Sequence, residues 1–156
     1  MVDMITGRDV IVDIDHLLLV VVGAHLVSEV FERPLAYRLR ESILRWKDEQ
    51  NASRSEGITL EPVVISDLWY LNNDELSSRP TIAIGSPGTN ALTAFLATHL
   101  PVALVLDNTL QVHLNMSGAT MHACLWGVDT SATASAVDLF AERYLPEFLS
   151  RATERC

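Results

Sequence analysis

The sequence predicts a three-layer α/β sandwich on a mostly parallel sheet of about five to six strands, with an antiparallel hairpin at one edge. Three observations support this fold class. Short apolar runs rich in β-branched residues alternate with segments of helical periodicity. The run at 17–24 is apolar throughout, as in strands buried on both faces of a parallel sheet. Two strand-like runs, 110–115 and 121–127, flank a turn around Ser117 and Gly118, which indicates a hairpin.

Length and composition predict a single domain spanning residues 1–156. The chain has the usual size of one domain, and its 49% hydrophobic and 20% charged residues are typical of a globular protein. The formal net charge of −9 argues against a nucleic-acid or anionic-membrane partner, because both attract clustered lysine and arginine. Lys47 is the sole lysine, which disfavours a pyridoxal Schiff base and a P-loop. We therefore expect no cofactor.

The N-terminal apolar run is interpreted as a buried strand rather than a targeting or membrane segment. The residues before it are mainly acidic, whereas a secretory signal starts with a basic region. The run LLLVVVGA is also far shorter than the ~20 residues that span a bilayer. Cys124 and Cys156 form neither a disulfide framework nor a CxxC motif, so a reducing, cytoplasmic location is expected.

In chain order, the first strand is predicted at 17–24, and the alternating segment VIVDIDH before it either extends this strand or forms a separate edge strand. A loop from Gly23 to Glu32 leads to a helix from about Pro34 to Glu49, with proline at its first position. The apolar stripe of this helix consists of Leu35, Leu39, Ile43 and Trp46. The second strand is predicted at 62–66.

The remaining elements continue the alternation. They are a strand at 81–85, a helix at about 89–99, strands at 102–106, 110–115 and 121–127, and a helix at about 131–149. Asp129, Thr130 and Ser131 are candidate N-caps of the last helix. Pro146 must kink that helix or divide it in two, because an interior proline lacks the backbone donor. The strand order does not follow from the sequence.

The stretch GSPGTN, residues 85–90, is the first candidate for a ligand site. Ligands of open α/β sheets bind beyond the carboxyl ends of the strands, where this stretch is predicted to lie. Gly85 and Gly88 permit close backbone approach, and Ser86 is a candidate N-cap with Pro87 behind it, so a phosphate or carboxylate would fit the amides. The stretch lacks the third glycine of GxGxxG and the lysine of GxxxxGK[ST]. A purely structural turn is the alternative.

Two neighbouring loops offer further polar or aromatic groups. Asp67 follows the second strand, and Trp69 and Tyr70 after it form either walls of a pocket or part of the core or a subunit contact. The loop at 23–32 and the residue after it supply a possible general base, a hydroxyl and an anion clamp, or else ordinary loop and cap residues. These are His25, Ser28, Glu29, Glu32 and Arg33.

Two groups of potential metal ligands lack a recognised spacing, so no metal site is predicted. The first group is Asp13, Asp15 and His16, of which the two aspartates would share a face if the segment were a strand. The second group is His113, His122 and Cys124 in the hairpin.

The sequence best fits a domain that binds a polar or anionic small molecule, and it leaves open whether the protein is an enzyme. No GxSxG elbow is present. The predicted ligand-binding residues are Gly85, Ser86, Gly88, Thr89, Asn90, Asp67, Glu29, Arg33 and Asp129. The alternative is a non-catalytic homo-oligomeric or partner-binding module whose aromatic loop and hairpin edge make the contacts.

Overall fold

A six-stranded mixed sheet forms the centre of the computed structural model, which describes residues 2–3, 10–11, 13–117 and 120–154. Its strands are β3 (Leu17–Val22), β4 (Glu61–Ser66), β5 (Thr81–Ile84), β6 (Val102–Leu106), β7 (Leu110–Asn115) and β8 (His122–Gly127). Their order across the sheet is β4-β3-β5-β8-β7-β6. Strands β4, β3, β5 and β8 pair in parallel, whereas β7 is antiparallel to β8 and β6. The predicted fold class is confirmed, with the antiparallel element at one edge.

Helices cover both faces of the sheet. They are α1 (Arg33–Asn51), α2 (Asp67–Leu71), α3 (Ala91–Leu96), α4 (Thr130–Arg143) and α5 (Leu145–Thr153). Helices α1, α4 and α5 pack on one face, and α2 and α3 pack on the other with a 3-10 helix at Asp74–Ser78. Along β3, Leu18 and Val20 enter the first core while Leu19 and Val21 enter the second. Burial on both faces explains why this strand is continuously apolar.

The neighbouring strands β3 and β5 send the chain to opposite faces of the sheet. The connection after β3 enters α1 on the first face, and the connection after β5 enters α3 on the second face. A crevice therefore opens between the carboxyl ends of these two strands, which is the position where open α/β sheets bind their ligands.

The segment before α1 differs from the prediction. The loop predicted from Gly23 to Glu32 is helical from Leu26 onward, and Ser28–Glu32 forms a π-helical turn that runs directly into α1. Pro34 lies in the first turn of α1, as predicted. The apolar residues of this segment are exposed and do not face the core. The segment therefore lacks a core-facing stripe of apolar residues, which is the pattern by which a helix is recognised in a sequence.

The segment before β3 also differs. Residues Ile14–His16 form a 3-10 helix rather than an extension of the strand, so Asp13 and Asp15 do not share a strand face. Strand β2 (Val10–Ile11) pairs with β1 (Val2–Asp3) in a separate antiparallel ladder, so this part of the segment forms a strand that does not belong to the six-stranded sheet.

The C-terminal helical region follows one of the two predicted alternatives. The helix divides, because α4 ends at Arg143 and α5 begins at Leu145 with Pro146 in its first turn. Asp129 is the N-cap of α4. Ser117 lies in a bend, while Gly118 of the predicted hairpin turn lies outside the described residues. Every helix in the described part of the chain is too short or too polar to span a bilayer.

Candidate functional site

Asn90 ties the carboxyl ends of β3 and β5 to the start of α3. Its buried side-chain amide donates hydrogen bonds to the carbonyl oxygens of Val21 (3.0 Å) and Ile84 (2.9 Å). Its Oδ1 accepts the backbone N–H groups of Leu92 (2.9 Å) and Thr93 (3.2 Å), so Asn90 is the N-cap of α3. All four hydrogen-bonding positions of the amide are used. Asn90 therefore shapes the site and has no position left for a ligand.

The predicted cap at Ser86 is wrong, because Asn90 takes that role and α3 starts at Ala91. Ser86 accepts the backbone N–H groups of Thr89 (3.0 Å) and Asn90 (2.9 Å) at its carbonyl, which closes a tight turn. The N–H of Gly85 donates to the carbonyl of Leu125 (3.0 Å). The amides of Gly85, Thr89 and Asn90 are thus bonded within the protein.

A buried carboxylate, Glu32, fixes this turn from the side of α1. The hydroxyl of Ser28 donates to Oε1 of Glu32 (2.6 Å), and the hydroxyl of Thr89 donates to Oε2 (3.3 Å). Gly85 adopts a φ of +120°, and a Cβ on it would lie 2.7 Å from Oε2 of Glu32. A Cβ on Gly23 would lie 1.8 Å from the carbonyl oxygen of Thr89. Glycine at both positions lets three segments meet around one carboxylate.

An open pocket of about 480 Å³ lies beside the turn, and we call it the Asp67 pocket. Its polar lining comes from four side chains, those of His25, Asp67, Thr89 and Asn90. Its apolar lining includes Leu68, Pro87, Ala91 and Ala94. It contains Asp67, Gly88, Thr89 and Asn90 of the predicted ligand-binding residues, and none of the described residues that line it is a lysine or an arginine.

Asp67 holds a buried carboxylate with one partnered and one unpartnered oxygen. The residue begins α2, directly after β4, and only 4% of its surface is exposed. Its Oδ2 accepts the N–H of Ala91, the first residue of α3, at 2.8 Å. Its Oδ1 is buried and accepts no hydrogen bond from any residue that the structure describes. A buried acceptor of this kind requires a specific explanation.

The other five predicted ligand-binding residues, Gly85, Ser86, Glu29, Arg33 and Asp129, are not among the residues that line the Asp67 pocket. Arg33 forms an ion pair with Glu29 one helical turn earlier, with 3.0 Å between Nε and Oε2. The guanidinium of Arg33 is therefore already paired with a carboxylate in this structure. Asp129 accepts the N–H of Ala132 (2.7 Å) at the start of α4 and acts as a helix cap.

The two aromatic residues after Asp67, Trp69 and Tyr70, lie in different environments, and neither lines the pocket. The side chain of Trp69 is exposed, whereas Tyr70 is buried in the second core with its hydroxyl 3.4 Å from Nε2 of His122. Burial raises the pKa of Tyr70 above its ordinary value. Leu68, which no pattern in the sequence singled out, is the member of this loop that accompanies Asp67 in the pocket lining.

The two candidate metal groups have other partners. Asp13 contacts His16 at 3.0 Å and caps the 3-10 helix. His113 lies against Trp126, and its Nε2 contacts Oε1 of Gln111 at 2.9 Å. Burial raises the pKa of Cys124 to about 12, which keeps it a neutral thiol. Across the described part of the chain, no three His, Cys, Asp or Glu side chains come together as a metal site would require.

No protein-family model matches this chain, and no curated protein matches its sequence. The site is therefore interpreted from its geometry.

Proposed function

We propose that the protein binds a small polar molecule in the Asp67 pocket and that this molecule donates a hydrogen bond to Asp67. The observation that carries the proposal is the half-partnered carboxylate, of which Oδ1 is buried without a donor from the described residues. Leaving such a group unsatisfied costs about 1–3 kcal/mol. Because Oδ1 is itself covered, a ligand that displaces the covering atoms and donates an N–H or O–H group to it would recover that free energy.

The position and size of the pocket support the same proposal. It lies beside the carboxyl ends of β3 and β5, where the chain diverges to opposite faces. Its volume of about 480 Å³ is within the range of small-molecule sites. Apolar walls beside a few fixed polar groups are typical of such sites.

The hydrogen bonds already present in the protein favour a ligand that donates a hydrogen bond over an anionic ligand. The N–H of Ala91 already donates to Asp67, and those of Leu92 and Thr93 donate to Asn90. An anion would also meet the Asp67 carboxylate, and no lysine or arginine lines the pocket within the described part of the chain. The polar alternative is therefore the one that we propose, rather than the phosphate or carboxylate ligand also considered from the sequence.

A ligand panel combined with a pocket-filling variant tests this function. Polyols, amines and nucleosides are screened by amide chemical shifts of the isotope-labelled protein. We expect saturable shifts centred on Leu68 and Ala91 with at least one class. Ala94→Phe should abolish them by filling the pocket, whereas Ala52→Phe, on an exposed position after α1, should not. Shifts that persist in Ala94→Phe, or a panel without a binder, would contradict the proposal.

Strand β6 supports a second candidate, a homodimer formed by edge-to-edge strand pairing. This edge strand has the sequence VALVL, and Val102, Val105 and Leu106 are exposed. The opposite edge, β4, starts with Glu61 and Pro62, which are residues that discourage strand addition. An uncharged edge strand accepts the same strand of a second copy in antiparallel pairing.

The sequence predicted contacts through both the aromatic loop and the hairpin edge, and the homodimer would use only the hairpin edge. Trp69 follows β4, and β4 and β6 are opposite edges of the sheet. Five strand spacings separate these edges by roughly 24 Å. The aromatic loop and the hairpin edge therefore do not belong to one strand-pairing contact.

The mass in solution tests the homodimer. Sedimentation should give a dimer at micromolar concentration, and Val105→Lys should give a monomer because a lysine on an edge strand discourages pairing with another strand. Val128→Lys, on an exposed valine after β8, should leave the mass unchanged. A monomeric parent protein would contradict this candidate.

A further inference from the structure

We infer that the ligand of the Asp67 pocket presents a protonated amine to Asp67. This inference rests on the proposed function and specifies the charge of the group that Asp67 accepts. Asp67 is nearly buried, and its only hydrogen-bond donor among the described residues is the neutral N–H of Ala91. Buried carboxylates are normally paired with a cation or with several donors. A cation at Oδ1 would complete this carboxylate.

A second buried carboxylate lies on the other side of the same short segment. Thr89 donates to Glu32, and Ala91, two residues further along, donates to Asp67. Arg33, which follows Glu32 in the chain, is paired with Glu29. Among the residues that the structure describes, His25 is the only basic side chain in the pocket lining. The local potential is consequently negative, in keeping with the net charge of −9.

The charge of the donor decides the binding energy. A neutral O–H donor forms a hydrogen bond with the charged Asp67 carboxylate, and an ammonium donor adds the attraction between two opposite charges. An ammonium group pairs charge with charge in a setting of low dielectric, which strengthens the contact further. The apolar lining at Leu68, Pro87 and Ala94 suits a short hydrocarbon segment next to the ammonium. The chemical class is thus a small aliphatic amine.

Three probes of nearly equal size separate charge from polarity. They are 2-aminoethanol, which is cationic at neutral pH, ethylene glycol, which is neutral, and glycolate, which is anionic. Each is titrated at millimolar concentrations into the labelled protein while the amides of Leu68 and Ala91 are followed. We expect 2-aminoethanol to bind about tenfold more tightly than ethylene glycol, and glycolate not to bind.

A charge-removing variant assigns the effect to Asp67. Asp67→Asn retains an oxygen for the N–H of Ala91 and removes the negative charge, so the preference for 2-aminoethanol should disappear. Asp129→Asn is the matched control, because Asp129 accepts one backbone N–H at a similar distance, 2.7 Å, but is exposed and outside the pocket. Should Asp67→Asn fail to fold, Ala94→Phe serves as the variant that removes binding.

Each outcome distinguishes the amine inference from the proposed function. Equal affinities for 2-aminoethanol and ethylene glycol, both lost in Ala94→Phe, would overturn the amine inference and leave the polar-ligand proposal standing. Preferred binding of glycolate would overturn the amine inference and the preference for a donor. If no probe shifts the pocket amides while a neutral compound of the wider panel does, the amine inference alone is wrong.

Discussion

At the scale of single residues, the site is organised by polar side chains that join distant segments. Asn90 connects β3, β5 and α3, while Asp67 connects the end of β4 with the start of α3. Buried polar groups with several partners specify one arrangement of the backbone and are costly to leave incomplete. These residues therefore determine the shape of the pocket.

Asn90→Asp should destabilise the protein by at least about 2 kcal/mol. The substitution keeps the size and the cap of α3, but it removes the two N–H donors that reach Val21 and Ile84 and places a charge against their carbonyl oxygens. The free energy of unfolding in urea measures the effect. Asn72→Asp is the control, because the Asn72 amide bonds Leu68 on the surface, and a loss there of equal size would contradict the argument.

At this scale, the positions of the predicted site residues depend on their local partners. Asp67 and Thr89 line the pocket because they follow parallel strands, which general topology predicts. Glu29 and Arg33 lie outside the pocket lining and pair one helical turn apart, a contact that exists only if the segment is helical. The loop predicted at 23–32 gave no reason to expect this pair. Whether an oxygen of Asp67 finds a hydrogen-bond donor depends on residues that are distant in the sequence, so no local pattern could have predicted the unpartnered Oδ1.

At the scale of elements, strands were predicted more accurately than turns. The apolar runs of β3 and β5 are fixed by burial on both faces, so their boundaries are nearly correct. Helix α3 is shorter than the predicted helix at 89–99, because Asn90 caps it and it ends at Leu96. The choice between Ser86 and Asn90 as cap depends on which side chain reaches the backbone, and both residue types are good caps.

The connection between β5 and α3 should not tolerate a side chain at Gly85. Gly85→Ala is expected to cost more than about 1 kcal/mol, because φ is +120° and the new Cβ would lie 2.7 Å from Glu32. Gly57→Ala should be nearly neutral, since no atom lies within 4 Å of the position that its methyl group would take. Chemical denaturation compares the two variants.

A double-variant cycle distinguishes two causes of the lower stability of Gly85→Ala, steric conflict with Glu32 and strain of the backbone. If the conflict with Glu32 contributes, Gly85→Ala together with Glu32→Ala should cost less than the sum of the two single changes. Strict additivity would assign the whole effect of Gly85→Ala to its backbone conformation.

At the scale of the whole molecule, two histidines on the antiparallel side of the sheet link stability to pH. Burial lowers the pKa of His113 and of His122 below the ordinary value of 6.5. As the pH falls through 6.5, the unfolded chain binds protons that the native protein does not, so the free energy of unfolding decreases. The decrease ends once the pH passes below the lowered native pKa values.

Urea denaturation over this pH range measures the effect. His122→Gln should flatten the profile, because it removes one of the two linked groups. His99→Gln is the control, since His99 is exposed and lies against Phe95 on the surface. A profile that His122→Gln leaves unchanged would contradict this assignment.

The hydrogen bonds of the Asn90 side chain have a consequence for the kinetics of ligand binding. The turn at 85–90 is bonded to the ends of two central strands before any ligand arrives. The cavity beside it is thus preorganised, and association loses little free energy to ordering of the protein. Ordering of this turn should accordingly add no slow step to association, and differences in affinity among compounds should reside in their dissociation rates.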